Sequence, residues 1–161
     1  MIQILFFLVG NMTPLDSVEC PSRGFSNGQR IFVSAKRIPG KDYEGRPMCL
    51  QRSAAEAYIE MTEAAARDGV FLGTTAAYRT YHQQKRLYRK NPRLAAKPGH
   101  STHQEGLSVD VSNAISHKGK KTHVYYWLRN NAKRYGFVHD VTGEPWHLTF
   151  RLNLMEEQGD S

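Results

Sequence analysis

STHQEGLSVDVS, residues 101–112, and EPWHLTFR, residues 144–151, are the two stretches that decide the fold of this chain. Apolar and polar residues alternate from Leu107 to Ser112 in the first stretch and from Trp146 to Arg151 in the second. A period of two predicts β-strands with one apolar and one polar face. Two such strands among helical segments indicate an α+β fold, with a small antiparallel sheet flanked by helices.

Three helices are predicted around these strands. Apolar residues recur at helical spacing over residues 53–68, Thr80 can cap a helix that runs to about Lys90, and a third helix covers residues 122–134. Tyr126, Leu128 and Ala132 are expected to be core residues of the third helix. Residues 70–76 are mostly apolar and predict a buried strand.

The length and composition indicate one ordinary globular domain. The chain has 161 residues, of which 40% are hydrophobic and 23% charged. We divide it into an N-terminal segment 1–49, a core 50–152 and a C-terminal tail 153–161. Residues 11–50 are rich in Pro, Gly, Ser and Asp, and irregular structure with one short strand around residues 31–33 is expected there.

Two features of the N-terminal segment leave alternatives open. Residues 1–10 are apolar but too short to span a bilayer. Their length suits an export signal, yet no Lys or Arg precedes them and no clean cleavage site follows, so a degenerate signal and a buried strand both fit. Cys20 and Cys49 fit either one disulfide, formed in an oxidising compartment, or two buried thiols.

The formal net charge of +7 favours polyanionic partners, which include nucleic acid, anionic lipid and acidic cell-wall polymers. The basic residues are scattered apart from short clusters at 85–93 and 118–121, and the chain has no recognised nucleic-acid motif. A solvated basic surface is therefore expected, on a monomer that has no transmembrane span and no nucleic-acid partner.

The two opening stretches also contain the parts of a catalytic metal site. His103, Asp110 and His147 offer two imidazoles and a carboxylate, and Glu144 adds a second carboxylate. Three protein ligands, an open position for water and a nearby base make up a catalytic zinc site. Asp110 and His147 lie on the polar faces of the two predicted strands. His103 would oppose Asp110 on a continuous strand, and Gly106 supplies the bend that could bring it back.

Pro145 favours an extended or turn conformation for Glu144, which is therefore expected on the loop before the second strand. The other imidazoles are expected to be surface or hydrogen-bonded groups, although His100 lies close to the candidate site in sequence. They are His82, His100, His117, His123 and His139.

The complete strings resemble a known family. Ser-x-His-x-x-Gly-x-Ser-x-Asp at 101–110, followed by Glu-Pro-Trp-His at 144–147, is similar to the zinc D-alanyl-D-alanine peptidases of the VanY and VanX kind. That group also contains phage L-alanyl-D-glutamate endolysins and the hedgehog signalling domain. Residues 77–81 resemble the family's Tyr-Arg-Ser segment, and residues 127–137 resemble its last helix.

The resemblance implies a fold of the hedgehog and D-Ala-D-Ala-peptidase type, and it implies roles for eight residues. The implied zinc (Zn2+) ligands are His103, Asp110 and His147, the catalytic residues are Glu144 as base and Arg79 as the group that polarises the carbonyl, and the substrate-binding residues are Ser101, Gln84 and Tyr78. The implied function is a zinc peptidase of peptidoglycan stem peptides, first of all a D-alanyl-D-alanine carboxypeptidase.

An endopeptidase of the endolysin type and a non-catalytic zinc-containing binding module are the alternatives. The implied location is the bacterial cell envelope, either periplasmic or secreted, and a phage-encoded lysis enzyme stays open. The link from Phe137 to Glu144 is short for the family, so the bond that is cleaved, D,D or L,D, is left open.

Overall fold

A computed structural model of the chain describes residues 19–42 and 45–154. The apolar residues 1–10, and most of the segment assigned as the C-terminal tail, lie outside these ranges. In chain order the elements are β1 (Arg23–Ser26), β2 (Gln29–Phe32), β3 (Ala35–Lys41), β4 (Pro47–Gln51), α1 (Arg52–Arg67), β5 (Thr74–Ala76), α2 (Tyr81–Lys90), α3 (Thr102–Glu105), β6 (Ser108–Val111), α4 (His123–Asn131), a 3-10 helix (Ala132–Tyr135), β7 (Phe137–Val138) and β8 (His147–Phe150).

The central sheet has four antiparallel strands in the order β5-β6-β8-β7. This confirms the predicted α+β fold with a small antiparallel sheet. β6 and β8 are neighbours, and their register pairs Asp110 with His147 and Val109 with Leu148. Directly paired residues point to the same side of a sheet. The register therefore brings Asp110 and His147 together on one face, while Val109 and Leu148 are fully buried on the other.

The core lies between the apolar face of this sheet and α1. Tyr58 and Met61 of α1 are fully buried, and the Tyr58 ring meets the edge of the Phe137 ring at 5.8 Å. Leu128 of α4 belongs to the same cluster. α1 begins and ends within one residue of its predicted bounds, because the Gln51 side chain accepts hydrogen bonds at its N-terminus and the chain turns at its C-terminus.

The other two predicted helices are present with small differences. Thr80 caps α2 as predicted, in a capping box with Gln83. α4 stops at Asn131 and the chain continues as the 3-10 helix. The prediction of Tyr126 as a core residue is wrong, since Tyr126 is 55% exposed and its neighbour Tyr125 is buried. Burial in this helix follows the spacing of Val124, Leu128 and Ala132, and Tyr126 lies off that face.

The prediction of irregular structure over residues 11–50 is wrong for residues 23–51, which form the antiparallel hairpins β1-β2 and β3-β4. Asn27-Gly28 turns the first hairpin with φ values of 49° and 80°, the positive values that a two-residue turn favours. Its high Gly and Pro content reflects such turns. A disulfide joins Cys20 to Cys49 of β4, with a Cα–Cα distance of 5.9 Å, and so decides between the two cysteine alternatives.

The hairpins are packed against the segment that carries His103. The backbone N–H of Gln51 donates to the Gly106 carbonyl at 2.8 Å, and β1 packs on α3. The predicted strand over 70–76 is shorter than expected, because only Thr74–Ala76 pairs with β6. In the parts of the chain that the coordinates describe, no helix is long and apolar enough to cross a membrane.

Candidate functional site

His103, Asp110 and His147 converge on the polar face of the central sheet. One possible ligand atom from each lies within 4.8 Å of the other two. Asp110 Oδ1 is 2.9 Å from His147 Nδ1 and 3.4 Å from His103 Nε2. Two imidazole nitrogens and a carboxylate oxygen at this separation match the three-ligand set of a catalytic zinc site. We call these three residues the triad.

The first member, His103, is placed by a short helix and a left-handed glycine. It lies in α3, and Gly106 ends that helix with φ of 75°, so the predicted bend at Gly106 is present. His103 Nδ1 lies 2.7 Å from the Ala77 carbonyl oxygen and donates to it, because a carbonyl can only accept. Nε2, on the opposite side of the ring, therefore faces Asp110 with its lone pair.

The opposite ring nitrogen is presented by His147. Its Nε2 lies 3.1 Å from Thr149 Oγ1, and Nδ1 faces Asp110. Thr149 Oγ1 in turn donates to Asp140 Oδ1 at 2.8 Å, so it can accept from the Nε2–H of His147. Arg151 donates to the second oxygen of Asp140 at 2.6 Å. We call His147, Thr149, Asp140 and Arg151 the relay; it fixes which nitrogen of His147 carries the proton.

The surroundings of the triad favour the protonation states that metal ligands need. Burial raises the pKa of the Asp110 carboxyl, but hydrogen bonds from His103 and His147 lower it more, and the net pKa lies well below its ordinary value. Burial lowers the pKa of His103. A carboxylate and a neutral imidazole are the forms that bind a metal ion.

A cavity of about 560 Å³ opens over the triad. Glu144 lies on its wall, in the loop before β8 as predicted, with Oε2 4.0 Å from His147 Nδ1. Its side chain is 34% exposed, so it can meet both solvent and a bound molecule. Ser101, which is buried, and His100 also line this cavity, which we call the triad cavity.

Arg79 reaches the triad cavity from the loop before α2. Its Nη2 lies 3.9 Å from Asp110 Oδ2, and its Nη1 donates to Gln84 Oε1 at 2.8 Å. The Gln84 amide is 1% exposed and also donates to the Ala96 carbonyl at 2.7 Å. Gln84 therefore holds the Arg79 guanidinium in place, a contact that the sequence did not reveal.

The structure brings together seven of the eight residues for which the sequence implied roles. The exception is Tyr78, which is not among the described residues that line the triad cavity and instead lines a neighbouring one. Its hydroxyl donates to the Arg23 carbonyl of β1. Thr149 and Asp140, by contrast, were missed; the one available signal is that Thr149 follows His147 by two residues on the same strand face.

Comparison with known proteins gives a consistent set of matches. The VanY family model, described as D-alanyl-D-alanine carboxypeptidase, matches residues 47–153. The chain is 31% identical to YodJ of Bacillus subtilis strain 168, a protein assigned as a carboxypeptidase, over 90% of this chain and 56% of YodJ. It thus spans about half the length of the curated relatives that it matches.

Two solved structures are similar in fold. The LdcB LD-carboxypeptidase superposes with a TM-score of 0.62 at 24% identity, over 78% of this chain and 72% of that chain. A variant of the vancomycin-resistance D,D-pentapeptidase VanY, solved in complex with Zn(II), superposes with a TM-score of 0.56 at 25% identity, over 73% of this chain and 78% of that one.

Proposed function

The chain belongs to the VanY family of D-alanyl-D-alanine carboxypeptidases, and from this premise we propose that it is a zinc-dependent peptidase of peptidoglycan stem peptides. The proposed reaction removes the C-terminal D-alanine from a peptide that ends in D-alanyl-D-alanine. The observation that carries the proposal is the convergence of the triad, Glu144 and Arg79 on one cavity.

The residues of the triad fit a zinc ion. Each imidazole has its outer nitrogen hydrogen-bonded, to Ala77 for His103 and to Thr149 for His147, and its inner nitrogen turned towards Asp110. Such outer partners are what zinc-binding histidines need. A zinc ion bound there would activate a water molecule and polarise the substrate carbonyl as a Lewis acid.

The chain's own side chains would carry the proton and charge movements. Glu144 accepts a proton from the attacking water and delivers it to the amine of the leaving D-alanine. Arg79 donates hydrogen bonds to the carbonyl oxygen as negative charge develops there, and such donors are often worth about 3–4 kcal/mol each. Gln84 keeps the Arg79 guanidinium in position for this contact.

The C-terminal carboxylate of the substrate is proposed to bind in the triad cavity next to Ser101. The Ser101 side chain is buried and polar, and hydrogen bonding to a substrate group would satisfy it. Gln84 contributes there mainly through Arg79, because its amide oxygen and nitrogen are already hydrogen-bonded. Tyr78 is assigned to the neighbouring cavity.

We assign the peptidase core to residues 50–152 and the site of action to the bacterial cell envelope, outside the cytoplasm. The disulfide between Cys20 and Cys49 supports an oxidising compartment. The net charge of +7 suits a protein that works next to an anionic cell wall. We further propose that the protein acts as a monomer.

The test is hydrolysis of defined muropeptides by the zinc-loaded protein and by a Glu144→Ala variant, with products identified by mass spectrometry. The variant is expected to bind zinc as the wild type does and to lose hydrolysis. Glu60→Ala, which removes an exposed carboxylate from α1, is the matched control and should keep full activity. Undiminished turnover in the Glu144→Ala variant would contradict the assignment of the base.

The same assay separates the alternatives. Peptides ending in D-alanyl-D-alanine and peptides ending in a single D-alanine distinguish D,D from L,D cleavage. Amidation of the C-terminus should abolish cleavage by a carboxypeptidase, whereas an endopeptidase would still cleave. A binding module would take up zinc and release no product from any of these peptides.

A further inference from the structure

A second cavity, of about 300 Å³, adjoins the triad cavity and has no role in the reaction proposed above. It lies between α2, the strand β5 and the start of β4. Its lining combines apolar groups with basic ones; the residues that matter here are Met48, Ala76, Leu87, Arg86, Lys90 and Asp42. We call it the basic cavity.

Helix α2 separates the two cavities. Gln84 and Asn91, one before and one just after the helix end, line the triad cavity, whereas Arg86 and Lys90 line the basic cavity. Leu87 lines both. A helix turns about 100° per residue, so residues at these spacings occupy two adjoining faces with Leu87 between them. Arg79 also lines both cavities, which therefore meet beside the proposed catalytic arginine.

The basic cavity carries a surplus of positive charge. Arg86 and Lys90 are exposed and extend along its wall. Among the described residues that line it, Asp42 is the sole carboxylate, and its oxygens accept hydrogen bonds from the Arg46 side chain at 2.8 Å and from the Arg46 backbone at 2.9 Å. The negative charge of Asp42 is thus compensated by Arg46, and the charges of Arg86 and Lys90 remain to attract an anionic ligand.

The remaining wall is apolar. Met48 and Ala77 are buried, Ala76 is half-buried, and Leu87 is 38% exposed. A cavity that combines a small apolar floor with two cationic side chains suits a group with an aliphatic stem and a carboxylate head. Acidic amino acid residues have this chemistry, and an inorganic anion would leave the apolar floor unfilled.

We propose that the basic cavity is a subsite for a carboxylate-bearing residue on the amino-terminal side of the scissile bond. The inference rests on the proposed function, in which the C-terminal residue occupies the triad cavity. The rest of the peptide then passes Arg79 and Leu87, where the cavities adjoin. The ridge formed by a helix is about 10 Å wide, and an extended peptide rises about 3.3 Å per residue. The carboxylate should therefore lie about three residues before the scissile bond.

The experiment compares two charge-reversal variants of α2. Arg86→Glu with Lys90→Glu reverses the wall of the basic cavity. Lys85→Glu with Arg89→Glu makes the same change of charge on exposed residues of the same helix that do not line either cavity, and it is the matched control. The substrates are acetylated peptides ending in D-alanyl-D-alanine, with either Glu or Gln at the second, third or fourth residue before the scissile bond.

For the wild type and the control variant, the Glu peptide of at least one position should have a KM about 10-fold below that of its Gln counterpart at low salt, with kcat unchanged. The cavity variant should lose or reverse this preference while its KM for the Gln peptides stays within about 2-fold of wild type. Equal KM values for Glu and Gln peptides in the wild type would refute the subsite. An equal loss of preference in both variants would also refute it, since it would indicate general surface attraction.

A binding measurement separates this inference from the proposed function. Calorimetric titration of the same peptides into the Glu144→Ala variant measures the preference for Glu without turnover. If no peptide is hydrolysed by the wild type, the proposed function fails, while a Glu preference in binding that depends on Arg86 and Lys90 would still support the subsite. Hydrolysis of the Gln peptides with no Glu preference in either assay would refute the subsite and leave the proposed function standing.

Discussion

Replacing Thr149 by Val removes one hydroxyl from the relay behind His147 and changes the shape of the side chain very little. Thr149 is fully buried, and its Oγ1 lies 3.1 Å from His147 Nε2 and 2.8 Å from Asp140 Oδ1. Ser108 Oγ is a further neighbour at 3.0 Å. The Val variant therefore leaves a buried imidazole N–H without an acceptor, which costs about 1–3 kcal/mol.

This loss should appear in metal affinity. Without the acceptor at Nε2, His147 is no longer held in the tautomer that turns the Nδ1 lone pair towards Asp110. Loss of such an outer partner typically lowers metal affinity by about 10–100-fold, and we expect a fall in zinc affinity of this size for Thr149→Val. The zinc dissociation constant is measured by competition with a chromogenic chelator, and urea unfolding of the metal-free protein gives the accompanying loss of stability.

Thr149→Ser is the control that separates the hydroxyl from the rest of the side chain. It keeps both hydrogen bonds and loses only a methyl group, so its zinc affinity should stay within about 3-fold of wild type. Zinc affinity in Thr149→Val equal to that of the wild type would refute the role of the relay. A Ser variant as weak as the Val variant would refute it too, because packing would then explain the effect.

Three more outcomes are expected. Arg79→Lys should lower kcat/KM by about 10²–10³-fold with zinc binding intact, because a point charge cannot keep both the Gln84 contact and the donors aimed at the substrate, whereas Arg89→Lys on the exposed face of α2 should be silent in the same kinetic assay. Cys20→Ala with Cys49→Ala opens a disulfide that spans 29 residues and should lower the free energy of unfolding in urea by about 3–4 kcal/mol, and a loss under 1 kcal/mol would contradict this estimate. Burial raises the pKa of Tyr58 from 10.0 to about 12, so the phenol stays neutral in the folded chain while the unfolded chain ionises; the stabilisation is complete below pH 10 and is lost as the pH rises towards 12. Wild type should therefore lose up to about 3 kcal/mol of unfolding free energy over that range that Tyr58→Phe does not lose, and parallel pH profiles of the two proteins would argue against this origin.

The meeting of the triad was predictable because it depends on local patterns. Alternation along residues 107–112 and 146–151 placed Asp110 and His147 on polar strand faces, and Gly106 supplied the turn that returns His103. Each of these features can be read within a window of about ten residues. The one unknown was whether β6 and β8 are neighbours, and the structure pairs them directly.

The supporting contacts were not predictable, because they join residues whose proximity depends on the whole fold. Asp140 reaches Thr149 only because β7 pairs with β8, and nothing near Asp140 in sequence marks it as a partner of His147. Gln84 and Arg79 meet because the α2 capping turn folds back on the loop before it. The two N-terminal hairpins were missed for a different reason: a high content of Gly and Pro concealed a clear Asn27-Gly28 turn signal.

The central claim is that His103, Asp110 and His147 hold one zinc ion through particular atoms. Anomalous diffraction at the zinc absorption edge, from crystals of zinc-loaded protein, tests it most directly. A single strong peak is expected about 2.0–2.2 Å from His103 Nε2, His147 Nδ1 and an oxygen of Asp110. An intact fold with no peak at this position, or with a peak bound through His147 Nε2, would contradict the account.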